Sequence, residues 1–202
     1  LSLLEKTGFD AVMAPAVSTV HVVPSAKGLD GADGYFDDRD LRVTLHMAWK
    51  KDEWHYLPRA LFHETGHAVN QYLGVVQGGQ ASFDRYAAEV VFGDWYHASH
   101  YPAAYAEVAG QESRKFIHEA FAEDFRIFLE HPALLPPARL ERLDRIFAFL
   151  FPKVDLALLR QRISVMYREL HGKNTEEIQE PVRCGQRVKR VYKEFVRKRL
   201  GR

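Results

Sequence analysis

Residues 60–71 read "ALFHETGHAVNQ" and place His63, Glu64 and His67 within five positions, bordered on both sides by apolar ones. On an α-helix, residues i and i+4 share a face, so His63 and His67 project side by side toward one point. Two imidazole nitrogens about 2 Å from one zinc ion suit that spacing. Glu64, adjacent to His63, is placed to reach water at such an ion, first as general base and then as proton shuttle to a leaving amine. Its neighbours Ala60, Leu61, Phe62, Thr65, Gly66, Ala68 and Val69 are uncharged, as expected of a helix buried beneath an active site. The plainer alternative is a pair of satisfied core histidines.

A catalytic zinc site needs a third protein ligand and an open position. Residue 70 is Asn and residue 73 is Leu, so the extended pattern HExxHxxGxxH is absent and the ligand must come from elsewhere. Residues 116–128, "FIHEAFAEDFRIF", are the strongest source. Phe116, Ala120, Phe121, Phe125 and Phe128 are core-type residues, yet Glu119 and Glu123 lie one turn apart near the same face. Carboxylates there are costly unless they ligate or hydrogen-bond something. Glu119 as ligand, with Glu123 orienting a zinc-bound histidine, answers that cost. His118 and Asp124 compete with Glu119 for the ligand role, and the plain alternative puts both glutamates in solvent on the helix's far side.

HETGH at 63–67 together with EAFAEDFR at 119–126 resembles the gluzincin metallopeptidases of the anthrax lethal factor-like and Pro-Pro endopeptidase family. The resemblance spans roughly residues 17–130. It implies an α+β, zincin-like metallopeptidase domain with a small N-terminal β-sheet, an HExxH active-site helix and a mostly helical C-terminal half. It further implies one Zn2+ ion held by His63, His67 and Glu119, with Glu64 as base toward a zinc-bound water and Glu123 in the outer shell. The expected activity is zinc-dependent endopeptidase cleavage of a protein or peptide, with Pro-containing substrates suggested by the relatives. Secretion is the compartment the resemblance points to. The stretch "GYFDDRDLRVTLHM" (34–47) looks like the family's β-hairpin and edge strand, and strand addition of an extended peptide along 42–47 is the expected docking mode. One position departs from the pattern. Where the family carries an oxyanion-stabilising tyrosine, seven residues before the third ligand, this chain has Glu112. Tyr105 is the first candidate for that role and Tyr101 the second.

The rest of the chain supports one domain over residues 1–202, divided into a β-rich part (1–56), active-site helices (57–130) and a helical C-terminal part (131–202). "VSTVHVV" (17–23) and "LRVTLHM" (41–47) carry β-strand patterning, and the Asp- and Gly-rich "SAKGLDGADGYFDDRD" (25–40) reads as a loop or hairpin connection. Helical texture begins near Leu57, with Pro58 in the first turn, and runs to Gly74. A second helix spans about 113–131, and two more fill 137–171 around Pro152. The single cysteine, Cys184, excludes an intramolecular disulfide and a cysteine-rich zinc module. The opening "LSLLEKTGFD" is what a trimmed chain would show.

Net charge is +1 over 202 residues, but residues 181–202 hold nine Lys or Arg against Glu194 alone, leaving −7 on the first 180. Such a basic helix could attract phosphate. A nucleic-acid-associated protein, or a pseudoenzyme that keeps the zinc fold without cleaving, is therefore the competing expectation. The helix also carries an apolar stripe, Val188, Val191, Tyr192 and Phe195, which suits docking on its own domain.

Overall fold

A computed structural model describes residues 5–23, 34–46, 56–76 and 111–171. The chain divides into two compact units, residues 1–166 and 167–202, and the first carries all the described structure except the end of the last helix. The described elements are α1 (Asp10–Met13), β1 (Thr19–Val23), β2 (Gly34–Asp37), β3 (Arg42–His46), α2 (Tyr56–Val76), α3 (Gln111–Glu130), a 3-10 turn (Pro132–Leu134), α4 (Pro137–Leu150) and α5 (Leu156–His171). The architecture is α+β, a small three-stranded sheet with the remainder mostly helical.

The sheet order is β1-β3-β2. β1 runs parallel to β3, from Thr19 opposite Arg42 to Val23 opposite His46. β2 returns antiparallel, from Gly34 opposite Leu45 to Asp37 opposite Arg42. β3 is thus the central strand, and Val43, Thr44, Leu45 and His46 are all buried, so both of its faces are covered. This corrects the docking mode expected along 42–47, because a strand with a ladder on each side has no free edge. Among the described residues, β2 pairs only with β3 and forms one margin of the sheet.

The hairpin between β2 and β3 is tied locally. Asp37 accepts hydrogen bonds from the Arg39 amide and the Arg42 guanidinium. Leu41 takes a left-handed backbone, φ 51°, and its carbonyl accepts from the Ser18 amide, joining the turn to the start of β1.

The first 56 residues are not wholly β and turn. A one-turn helix, α1, occupies 10–13, too short to persist without tertiary contacts. Its flanking Phe9 packs edge-to-face on Phe62 of α2, with ring centroids 4.6 Å apart, and Val12 is fully buried.

α2 is the axis of the unit. It starts with Pro58 in its first turn, where the missing amide hydrogen costs nothing, and continues two residues past Gly74 to Val76. It packs chiefly against α3 and also against β2 and β3. Leu61, Phe62, Ala68, Val69 and Leu73 are all essentially inaccessible, which makes α2 a core helix covered from two sides.

Beyond α3, the core continues through Phe128, Phe147 and Phe151, whose rings lie 5.9 and 5.1 Å apart in sequence. Arg160 of α5 lies over the Phe128 ring at 4.2 Å and donates to the Phe128 carbonyl. Asp155 caps α5 by accepting from the Leu158 amide. None of the described helices is long and apolar enough to cross a membrane. The aromatic segment containing Tyr101 and Tyr105, and the basic segment 181–202, lie outside the described residues.

Candidate metal centre

The site is built where α2 crosses α3, and the crossing is made at Gly66. A Cβ placed on Gly66 would stand 2.7 Å from the Cα of Ala122 and 2.9 Å from its carbonyl oxygen. The backbones of the two helices therefore meet with nothing between them, and only glycine fits the α2 side. The glycine of HETGH and an alanine of EAFAEDFR are the two halves of one contact.

Polar contacts lie on each side of that crossing. Toward the start of α2, His63 Nδ1 is 3.3 Å from Glu123 Oε2. Toward its end, Asn70 Nδ2 is 2.8 Å from His118 Nδ1. The pairs 63–123, 66–122 and 70–118 ascend one helix as they descend the other, so the helices are antiparallel here. In that register, position 119 of the α3 backbone falls level with Val69, about half a turn along α2 from His67. The Glu119 side chain lies outside what is described.

His63 and His67 come together as adjacent rings, with centroids 5.0 Å apart and planes at 84°. A carboxylate only accepts hydrogen bonds, so the His63–Glu123 contact requires the proton on His63 Nδ1. In that tautomer Nε2 of His63 is the nitrogen that carries the ring's lone pair, the atom a cation takes in carboxylate–histidine–metal arrangements. The donor set at this end of α2 thus fits a zinc ion held by imidazole. Among the described residues no group of three His, Cys, Asp or Glu side chains forms a metal cluster.

Glu64 is buried and lies on the sheet side of α2. A Cβ on Gly34 would be 3.2 Å from Glu64 Cγ, 3.1 Å from a Leu45 methyl and 2.9 Å from the Thr44 carbonyl oxygen. The first residue of β2 is thus pressed against the Glu64 side chain, and glycine makes that approach possible.

Glu123 is buried and multiply held, which excludes the far-side alternative for this residue. Arg126 donates from Nε to Oε2 at 3.0 Å and from Nη2 to Oε1 at 2.5 Å, a two-pronged grip. The remaining terminal nitrogen of Arg126 donates to Glu130, and Arg59 of α2 stands 3.9 Å from the same Glu130 oxygen. Next along the chain, burial holds the His131 imidazole below its ordinary range, against the pull of Glu130.

The rivals for the third ligand have other partners. Asp124 accepts through both carboxylate oxygens from Nη1 of Arg139, at 3.1 and 3.0 Å, in a buried pair facing α4. His118 is half-buried rather than on the surface, with its Nδ1 engaged by the buried Asn70.

Several residues that shape the site carry weak sequence signals: Arg126, Glu130, Arg59, Asn70 and Gly34. The one available cue for Arg126 is its place among Phe121, Phe125 and Phe128, where an unpaired guanidinium would be expensive. Compared with known proteins, the chain matches no family model, no curated relative and no solved structure.

Proposed function

We propose that the chain is a zinc-dependent metalloendopeptidase with a zincin-like domain. The observation that carries this reading is the pairing of His63 with the Arg126-held Glu123, one turn from His67, across the Gly66–Ala122 crossing. A structural core histidine does not require a buried, doubly gripped carboxylate behind it. A metal-ligating histidine does, because the carboxylate fixes the ring and raises the basicity of its other nitrogen.

His63 through Nε2, His67, and Glu119, whose backbone lies about half a turn along the helix pair from His67, would hold the ion. Zinc, when bound, supplies positive charge that acidifies water and polarises a peptide carbonyl. Glu64 takes the proton from the attacking water as the new C–O bond forms, giving a tetrahedral adduct, and returns it to the amine nitrogen, whereupon the C–N bond breaks and the carbonyl reforms. Burial of Glu64 between α2 and β2 keeps its carboxylate in one place for both transfers. Tyr105, or Tyr101, would donate its hydroxyl to the oxyanion.

The substrate is an extended protein or peptide segment, for which the sheet margin at β2 is the natural rail. β2 borders Glu64 at Gly34, and β3 is enclosed. A Pro-containing cleavage site is the preference that the resemblance implies.

Metal content and cleavage of a diverse peptide library, with and without chelator, test the reading. Zinc near one equivalent and chelator-sensitive cleavage are the expected results. Glu64→Gln should retain the zinc and lose cleavage by a factor of 100 or more, about 10²–10⁴ being usual for a positioned acid–base group. Normal cleavage by the Gln variant would refute the role given to Glu64.

A further inference from the structure

We infer that Arg126 is a positioning residue for the metal, acting through Glu123 on His63, as part of a charge circuit that begins and ends on α2. The inference rests on the zinc reading above and extends it to residues that touch neither metal nor substrate.

The circuit runs from His63 on α2 to Glu123, Arg126 and Glu130 on α3, and back to Arg59 on α2. His63 and Arg59 are one helical turn apart, so the circuit closes on a single stripe of α2. The side chains of Glu123, Arg126 and Glu130 are 12%, 6% and 1% exposed. The guanidinium reaches both Glu123 oxygens with Nε and Nη2 and Glu130 with Nη1, using three nitrogens in one plane. That geometry fixes the plane of the Glu123 carboxylate, and the plane sets where Oε2 can accept the His63 proton. Two attachment points a turn apart on α2 also resist rotation of that helix about its axis, which would swing both histidines off a common point.

A lysine in this place would keep the charge and lose the fork, since an ammonium cannot hold both Glu123 oxygens and Glu130 in one plane. Arg126→Lys therefore separates positioning from simple charge balance.

The experiment is zinc affinity by competition with a chromophoric chelator at fixed pH, together with the visible spectrum of the Co2+-loaded protein. Urea unfolding of the metal-free protein is measured alongside. Arg126→Lys should bind zinc about 10–100-fold more weakly, the usual consequence of losing outer-shell support. Its Co2+ spectrum should change, because the His63 ring is no longer held in one orientation. If Arg126→Lys does not fold, Arg59→Gln carries the test from the half-exposed end of the circuit. Weaker zinc binding at an unchanged unfolding midpoint supports the inference, and wild-type affinity overturns it. Arg126→Lys with wild-type affinity and spectrum overturns the inference while leaving the zinc reading intact. A wild-type chain that takes up no zinc overturns both.

Discussion

The two polar contacts that flank the Gly66–Ala122 crossing are built on opposite principles. On one side, His63 meets a carboxylate gripped by Arg126, which is in turn linked through Glu130 to Arg59. On the other, Asn70 meets His118 through one hydrogen bond between uncharged groups, and Asn70 Oδ1 finds no protein partner among the described residues. Both lie in the same helix pair, a single turn or so from the closest backbone approach. The charged contact is far more heavily built than packing requires. Buried ion pairs contribute little net stability compared with apolar side chains of the same size, yet breaking one is expensive. Investment of that kind at Glu123 is what a demand for geometry at His63 would produce.

Substitutions can break this asymmetry, beginning with its largest element. Arg126→Met should cost about 3–5 kcal/mol in urea unfolding, because it strands two buried carboxylates, Glu123 and Glu130, without their common partner. A loss under 1 kcal/mol would mean that the charged side is no more than decoration.

Gly66→Ala tests the crossing on which both sides depend. Alanine in an ordinary helix interior is favoured over glycine by about 1 kcal/mol. Here the new methyl meets backbone at 2.7 Å, and backbone cannot swing aside. The expected outcome is a net loss of about 1–3 kcal/mol from overpacking, read as a lower urea midpoint. Stabilisation would show that the helices do not approach as described. Asn70→Ala should have the smallest effect, about 1 kcal/mol for one neutral hydrogen bond, with zinc content unchanged. Loss of zinc in this variant would erase the distinction between the two sides.

Much of the helical framework could be read from the sequence. The two C-terminal helices fall on 137–150 and 156–171 around Pro152, because Pro137, Asp155 and the apolar spacing mark their ends locally. α2 and α3 were legible for the same reason. β2 was harder to see from composition, since four residues, GYFD, sit inside an Asp- and Gly-rich stretch that favours turns; a hairpin over 34–47 was expected only through the resemblance. Only pairing with β3 makes them a strand. The central place of β3 was likewise hidden, because strand order is a long-range property that alternation along one strand does not encode.

The candidate site shows the same division. His63, Glu64 and His67 are close in sequence, and their shared helix follows from local pattern. Glu123 could be anticipated from the cost of a carboxylate among phenylalanines. Arg126 could not be assigned, because an arginine three residues on reads equally well as a solvated side chain. Gly66 was legible only as one of several uncharged neighbours of the histidines, because the residue that demands a glycine there, Ala122, lies far along the chain.

One property of the crossing bears on how the protein is made. Its polar contacts join residues 60 and 48 positions apart in sequence. During synthesis at about 5–20 residues per second, roughly 3–12 s separate the appearance of His63 from that of Glu123. For that interval the HETGH segment has been translated but its supporting carboxylate has not. A nascent chain thus carries paired imidazoles without the circuit that holds them. Under the zinc reading, selective loading would wait until α3 has been made and has closed on α2.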